Sequence, residues 1–251
     1  MASRTLHDYP GHLYLPRVRH YGDGMNISIS GYTAAGKTTH ARLISEALDM
    51  EYVSAAEMLL DRLGYDRSQT VDSAIWFKEY AQIGRRLDDT TIDSDLDRAL
   101  VERARSDDRV IFDARFLPWA GQAPLIRIWL ESDLPSRARK CYVSMDGRTA
   151  GVPQCAAHVH HKDMLDVERL LKGHEGIYGP NPEIFDAMLD NSDLIPDATR
   201  SCADKGIAIF QDYMLATVEH FMGDDGRLHS LHRRNPRQFR RCVRLVRDFD
   251  F

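Results

Sequence analysis

The sequence predicts an α/β domain doubly wound around a parallel sheet. Three observations carry that prediction: a strand–loop–helix unit near residue 31, short β-rich runs separated by helical patterns, and no internal repeat. Met25 to Ser30 alternates apolar and polar residues and then meets Gly31, which suits a strand delivering a loop. Ala41, Ile44 and Leu48 follow at helical spacing. Glu51 to Ser54 reads as a short strand, and Ala55 to Leu63 as a helix ended by Gly64. Val71 to Leu87 and Ser94 to Arg105 read as two further helices. Arg109 to Asp113 and Leu125 to Leu130 are compact apolar runs, the mark of buried parallel strands. Asp133 is placed to cap a helix running through Arg137 to about Met145. Gly147 to His161 reads as a Gly-, Ala- and His-rich loop before another charged helix. Asn191 to Ile195 reads as the last strand, and Cys202 to Met222 as a long amphipathic helix.

Bulk properties narrow the function classes. A chain of 251 residues that is 43% hydrophobic and 28% charged has enough apolar material for a sizeable core. Its net charge of −5 argues against generic nucleic-acid binding through overall charge. Between Leu231 and Arg247, however, seven arginines occur with no acid. The four cysteines form no CxxC pair, no apolar run approaches membrane-spanning length, and the N-terminus lacks an apolar signal core. A cytoplasmic chain with no membrane contact is therefore expected.

The stretch Gly31-Tyr32-Thr33-Ala34-Ala35-Gly36-Lys37-Thr38-Thr39 fits GxxxxGK[ST] at every fixed position. Such a loop wraps phosphates with backbone N–H groups, so its glycines must permit unusual dihedrals and close approach. Lys37 can set a charge between the outer phosphates of ATP, and the Thr38 hydroxyl can ligate Mg²⁺. The helix that opens near Lys37 aims its positive end at the same anion. A GTPase would add DxxG and NKxD elements, and neither stands in a suitable position. Instead Val110-Ile111-Phe112-Asp113-Ala114-Arg115 ends a strand with a carboxylate suited to Mg²⁺ and a rim arginine suited to phosphate.

From Met25 to about Ile195 the sequence resembles the cytidylate kinase-like branch of the nucleoside monophosphate kinases. Four stretches carry the resemblance: ISGYTAAGKTTHARLISEALDMEYVSAAEM, TTIDSDLDRAL, RVIFDARFLPWAGQAPLIRIWLESDLPSRARK and IYGPNPEIFDAMLDNSDLI. It implies a P-loop NTPase-type three-layer fold with a five-stranded parallel sheet, a helical acceptor-binding region and a mobile lid. It also implies ATP with Mg²⁺ as donor and a pyrimidine nucleotide, CMP or dCMP, as acceptor. Matched position by position, Gly31 to Thr39 form the donor loop, Ser54 faces the acceptor, Asp93 and Asp97 share one helix face, and Arg115 contacts the acceptor phosphate. Departures are specific. Leu59 and Leu60 stand where the family has an acceptor arginine, with Arg62 nearby; Phe116 replaces a cytosine-reading aspartate; Gly173 and His174 replace the RY pair that ends the lid helix. The remaining cations near the lid are Lys162, Arg169 and Lys172, with Arg137, Arg139, Lys140 and Arg148 upstream.

The expected organisation is an extended arm over 1–24, a kinase domain over 25–222 with its lid at about 146–176, and an Arg-rich extension over 223–251. If helical after Pro236, that extension puts Phe239, Val243 and Val246 on one stripe. Its arginines are then solvated, paired with acids, in contact with nucleic acid, or lent to an active site. A homodimer stays open. Two other functions remain beside monophosphate transfer: a kinase of a hydroxyl on a nucleoside or other small molecule, and a nucleotide-binding regulatory or RNA-contacting protein with little turnover.

Overall fold

In the computed structural model, the described residues are 24–65, 90–120, 123–146, 151–173 and 178–246. The expected N-terminal arm, apart from Gly24, and the helix expected over Val71 to Leu87 lie outside them. Strand β1 (Asn26–Gly31) leads to α1 (Lys37–Leu48), β2 (Glu51–Ser54), α2 (Ala55–Arg62) and α3 (Thr90–Ser106). Then come β3 (Val110–Asp113), β4 (Leu125–Glu131), α4 (Leu134–Ser144), α5 (Val152–Gly173) and β5 (Ala187–Asp190). A 3-10 turn (Ser192–Leu194), α6 (Arg200–Phe221), α7 (Gly226–Arg234), α8 (Pro236–Cys242) and β6 (Val243–Val246) complete the described chain, and another 3-10 turn, Leu117–Trp119, lies between β3 and β4.

The sheet order is β2-β3-β1-β4-β5-β6, with the first five strands parallel and β6 antiparallel to β5. β1 is central, so its carboxyl end, with those of β3 and β4 on either side, opens at the switch point where α/β sheets bind ligands. Strand residues alternate between two apolar layers. Ile27, Ile29, Ile126, Ile128 and Leu130 pack with α1 and α6, where Ile44, Phe210 and Met214 are buried. Val110 and Phe112 face the other way, onto Leu59, Leu60, Leu96 and Leu100 of α2 and α3. Each such buried aliphatic side chain contributes about 1.5–3 kcal/mol, which ranks these layers above any surface pair.

Four expectations change. The last parallel strand is Ala187–Asp190, not Asn191 to Ile195. The apolar run Ala187-Met188-Leu189 pairs with β4, while the polar Asn191 and Ser192 turn the chain into the 3-10 segment. The stretch from Val152 to His161 is the start of α5 rather than loop. Pro153 is tolerated in a first turn, and Cys155 and Val159, one turn apart, bury against Ala138, Cys141 and Met145 of α4. The sheet has six strands, not five. The sixth arises because helix α8 stops at Cys242, and the Val-Arg-Leu-Val run pairs along β5. The single helical stripe expected through Val243 and Val246 is therefore split between a helix and a strand. Leu228, Leu231, Phe239, Cys242 and Val243 all join the core shared with β1 and β4. No helix among the described residues is long and apolar enough to cross a membrane.

Candidate active site

The loop between β1 and α1 is shaped by its glycines. A Cβ on Gly31 would stand 2.5 Å from the Leu130 carbonyl oxygen, and Gly36 holds φ at 103°. Neither position admits an L side chain without distortion. Lys37 donates to the carbonyls of Gly31 (2.7 Å) and Tyr32 (2.9 Å), folded back over its own loop. Burial holds its pKa down to about 8, with the Asp113 carboxylate acting in the opposite sense. Beneath the loop His40 is neutral: burial lowers its pKa to about 4, its Nδ1 lies 2.9 Å from Gln211 Oε1, and its ring stands edge-on to Phe210.

Asp113 ends β3 beside the loop. Its Oδ2 accepts from the Thr38 hydroxyl at 2.5 Å and from the Tyr52 hydroxyl at 3.3 Å. Burial, then the Asp113 charge, pushes Tyr52 up to about 12, so it stays a phenol and a donor. A hydroxyl and a carboxylate set together at a phosphate loop form the hard-oxygen donor set that suits Mg²⁺. The rim after β3 is pinned by Ser30, whose hydroxyl donates to the carbonyls of Ala114 (2.6 Å) and Arg115 (3.1 Å).

Helix α5 lies over this loop. The Thr33 backbone N–H donates to Asp163 Oδ1 at 2.9 Å, and Asp163 also pairs with Arg137. Arg137 in turn donates to the Thr33 carbonyl at 3.1 Å and stacks over the Tyr32 ring. One turn along, Asp166 forms ion pairs with Arg115 and, at 3.3 Å, with Lys162. Lys162 is buried, which lowers its pKa, and its Nζ lies 3.5 Å from the Thr33 hydroxyl. On the far side Asn191 donates to the Ala35 carbonyl at 2.9 Å and accepts from Lys140, whose pKa burial lowers to about 7.

One cavity of about 360 Å³ joins these groups, within the usual range for a small-molecule site. Thr33, Ala34, Ala35, Gly36, Lys37, Thr38 and Thr39 line it, as do Asp97, Asp113 and Arg115. One side is closed by α4 and by Leu194, Ile195 and Ile207; the opposite side by Ala55, Leu59, Leu96 and Phe116. Gly31 lies behind the loop, where its carbonyl also accepts from Tyr178 at 2.8 Å. Ser54 caps α2 by accepting from the Glu57 N–H, and neither it nor Arg62, exposed at the end of α2, is among the lining residues. The Asp93 side chain lies outside the described residues. Sequence reasoning missed Asp163 and Asp166; the visible signal was the Lys162–Asp166 pair at helical i, i+4 spacing. It also missed Asn191, hidden by the misplaced last strand.

A glycine-shaped phosphate loop that opens a helix beside the central strand, facing a cavity rimmed by cations, defines the class: the chain is a P-loop phosphotransferase. No family model matches it. It is 35% identical to the cytidylate kinase of Halobacterium salinarum over 117 residues, which are 46% of this chain and 56% of that protein. It is 30% identical to the cytidylate kinase of Natronomonas pharaonis over 186 residues, 73% of this chain and 89% of that protein. Among solved structures, the shikimate kinase of Bacteroides thetaiotaomicron covers 76% of this chain and 98% of its own at 12% identity and a TM-score of 0.40, too low to add to the assignment. The chain belongs to the cytidylate kinase family.

Proposed function

We propose that the protein transfers the γ-phosphoryl group of ATP to a pyrimidine nucleoside monophosphate, CMP or dCMP. The observation that carries this reading is that the phosphate loop and Arg115 line one cavity, in a chain whose relatives are cytidylate kinases. Lys37 leaves its loop carbonyls for the outer phosphates of ATP, where opposing charge restores its full ammonium character. Thr38 and Asp113 would hold Mg²⁺, which would supply charge neutralisation. Arg115 exchanges Asp166 for the acceptor phosphate, a swap of one anion for another at the same guanidinium. Lys162 and Arg137 both hold the loop at Thr33, and Lys162, which lines the cavity, neutralises charge on the transferring group. The acceptor base lies between Ala55, Leu59 and Leu96, with Asp97 accepting from an exocyclic amine. A monophosphate oxygen is already ionised near neutral pH, so transfer needs little base catalysis.

One observation favours a second reading, transfer to a hydroxyl. Among the described residues, Arg115 is the one arginine lining the acceptor side, while the carboxylates of Asp97 and Asp113 line the same cavity and suit a general base. Labelled ATP with a panel of monophosphates, nucleosides and small polyols separates the two. CMP or dCMP is expected to be the preferred acceptor. ADP release with hydroxyl acceptors and none with any monophosphate would sink the monophosphate reading.

A further inference from the structure

The C-terminal extension reaches the donor side of the site through one ion pair. Asp190, at the end of β5 with its side chain 7% exposed, divides its two oxygens between different tasks. Its Oδ1 accepts from the N–H (2.9 Å) and hydroxyl (2.6 Å) of Ser192, which folds the chain into the 3-10 turn. Its Oδ2 is held by Arg244 of β6. The turn shaped this way is a wall of the donor cavity, since Asn191, Leu194 and Ile195 all line it.

The same turn is gripped from α4 and α6. Ser192 accepts from the Asp133 N–H at 2.8 Å, its carbonyl accepts from the Ser136 hydroxyl, and Arg139 donates to the Ile195 carbonyl at 2.7 Å. Gly206 lets α6 pass so close that a Cβ there would stand 2.4 Å from the Leu194 carbonyl. Asn191 carries the placement to the phosphate loop through the Ala35 carbonyl and is itself held by Lys140. Among the charges acting on Lys140 that of Asp190 is the strongest, so the carboxylate that pairs with Arg244 also acts on Lys140. Losing Arg244 leaves a buried carboxylate one cation short. Asp190 then draws on Lys140, whose amine holds Asn191 against the phosphate loop.

We infer that Arg244 is a positioning residue for the donor nucleotide: through Asp190 it sets the 191–195 turn that walls the donor base side of the cavity. This rests on the donor reading of the loop, and not on which acceptor is used. Arg241, 3.7 Å from Asp193 and largely exposed, adds a weaker contact to the same turn.

The experiment is equilibrium binding of a fluorescent ATP analogue to the full chain, without acceptor, alongside thermal melting and binding of labelled CMP. Arg244→Ala is expected to weaken analogue binding about 5- to 10-fold, with the melting temperature within about 2 °C of wild type and CMP binding unchanged. Arg244→Lys recovers part of the loss. Asp190→Asn weakens analogue binding too, and the double variant loses less than the product of the single losses, because both act through one contact. Arg237→Ala, a substitution on the exposed face of the same extension, is the control and stays at wild-type affinity. Unchanged analogue binding in Arg244→Ala overturns the inference, as does a loss shared equally by CMP binding and matched by a fall in melting temperature. A wild-type chain that does not bind the analogue overturns the donor reading and this inference with it, a result distinct from binding that Arg244→Ala leaves intact.

Discussion

At the phosphate-loop end of the cavity polar groups are tied to backbone, whereas the opposite end is walled mainly by small and aliphatic side chains. Ala35, Thr33 and Gly31 each offer a main-chain atom to a partner from another element: Asn191, Arg137 or Asp163, and Tyr178. Across the cavity Ala55, Ala56, Leu59, Leu96 and Leu100 supply shape, and Asp97 and Arg115 supply charge. A loop that binds through N–H groups depends on backbone geometry and a few glycines, so a contiguous motif preserves it. A wall made of side chains from α2, α3 and the β3 rim can change one residue at a time. Leu59, one of the two positions where an acceptor arginine was expected, lines that wall.

Two substitutions test that asymmetry. Lys37→Ala removes the one ammonium built into the donor loop and is expected to lower kcat by about 10³-fold with any acceptor. Turnover within tenfold of wild type would mean the loop is not where phosphoryl transfer occurs. Arg115→Ala is expected to lower kcat/KM for the monophosphate about 10²-fold while leaving KM for ATP within about twofold. Equal losses in both substrates would place Arg115 on the donor phosphates instead and erase the proposed division of the cavity.

The legible parts of the molecule are those in which structure follows from neighbours in sequence. β1, its loop and α1 lie within 23 consecutive residues, and Asp113 closes an apolar run, so strand, loop and metal-suited carboxylate could all be read directly. β5 was placed four residues late because Asn191-Ser192-Asp193-Leu194-Ile195 holds as many apolar ends as a short strand. Only pairing with Ile128 to Glu131 shows that the strand is Ala187–Asp190. Asp163 was invisible for a related reason. Asp163 meets Thr33 across 130 residues of chain, and no local pattern announces such a contact. β6 reads as the end of an Arg-rich helix until β5 is seen to offer it an open edge.

Lys140 gives the smallest effect, and it probes how tightly the donor end is built. Its amine is buried against Ser132 and Asn191, and burial brings its pKa from 10.5 to about 7. In the unfolded chain the same lysine stays protonated up to about pH 10.4. Between about pH 7 and 10 the unfolded state therefore binds the extra proton, and stability from this residue rises with pH. Below pH 7 the folded protein carries the full cost of a buried ammonium. Lys140→Met removes the titration, so its stability relative to wild type is greatest below pH 7. That advantage shrinks by about 1–3 kcal/mol toward pH 10. Urea unfolding of the nucleotide-free protein at pH 6, 8 and 10 measures it. A difference that does not vary with pH would show that Lys140 keeps its charge when folded. The donor end would then hold a permanent cation beside the loop instead of a neutral amine awaiting phosphate.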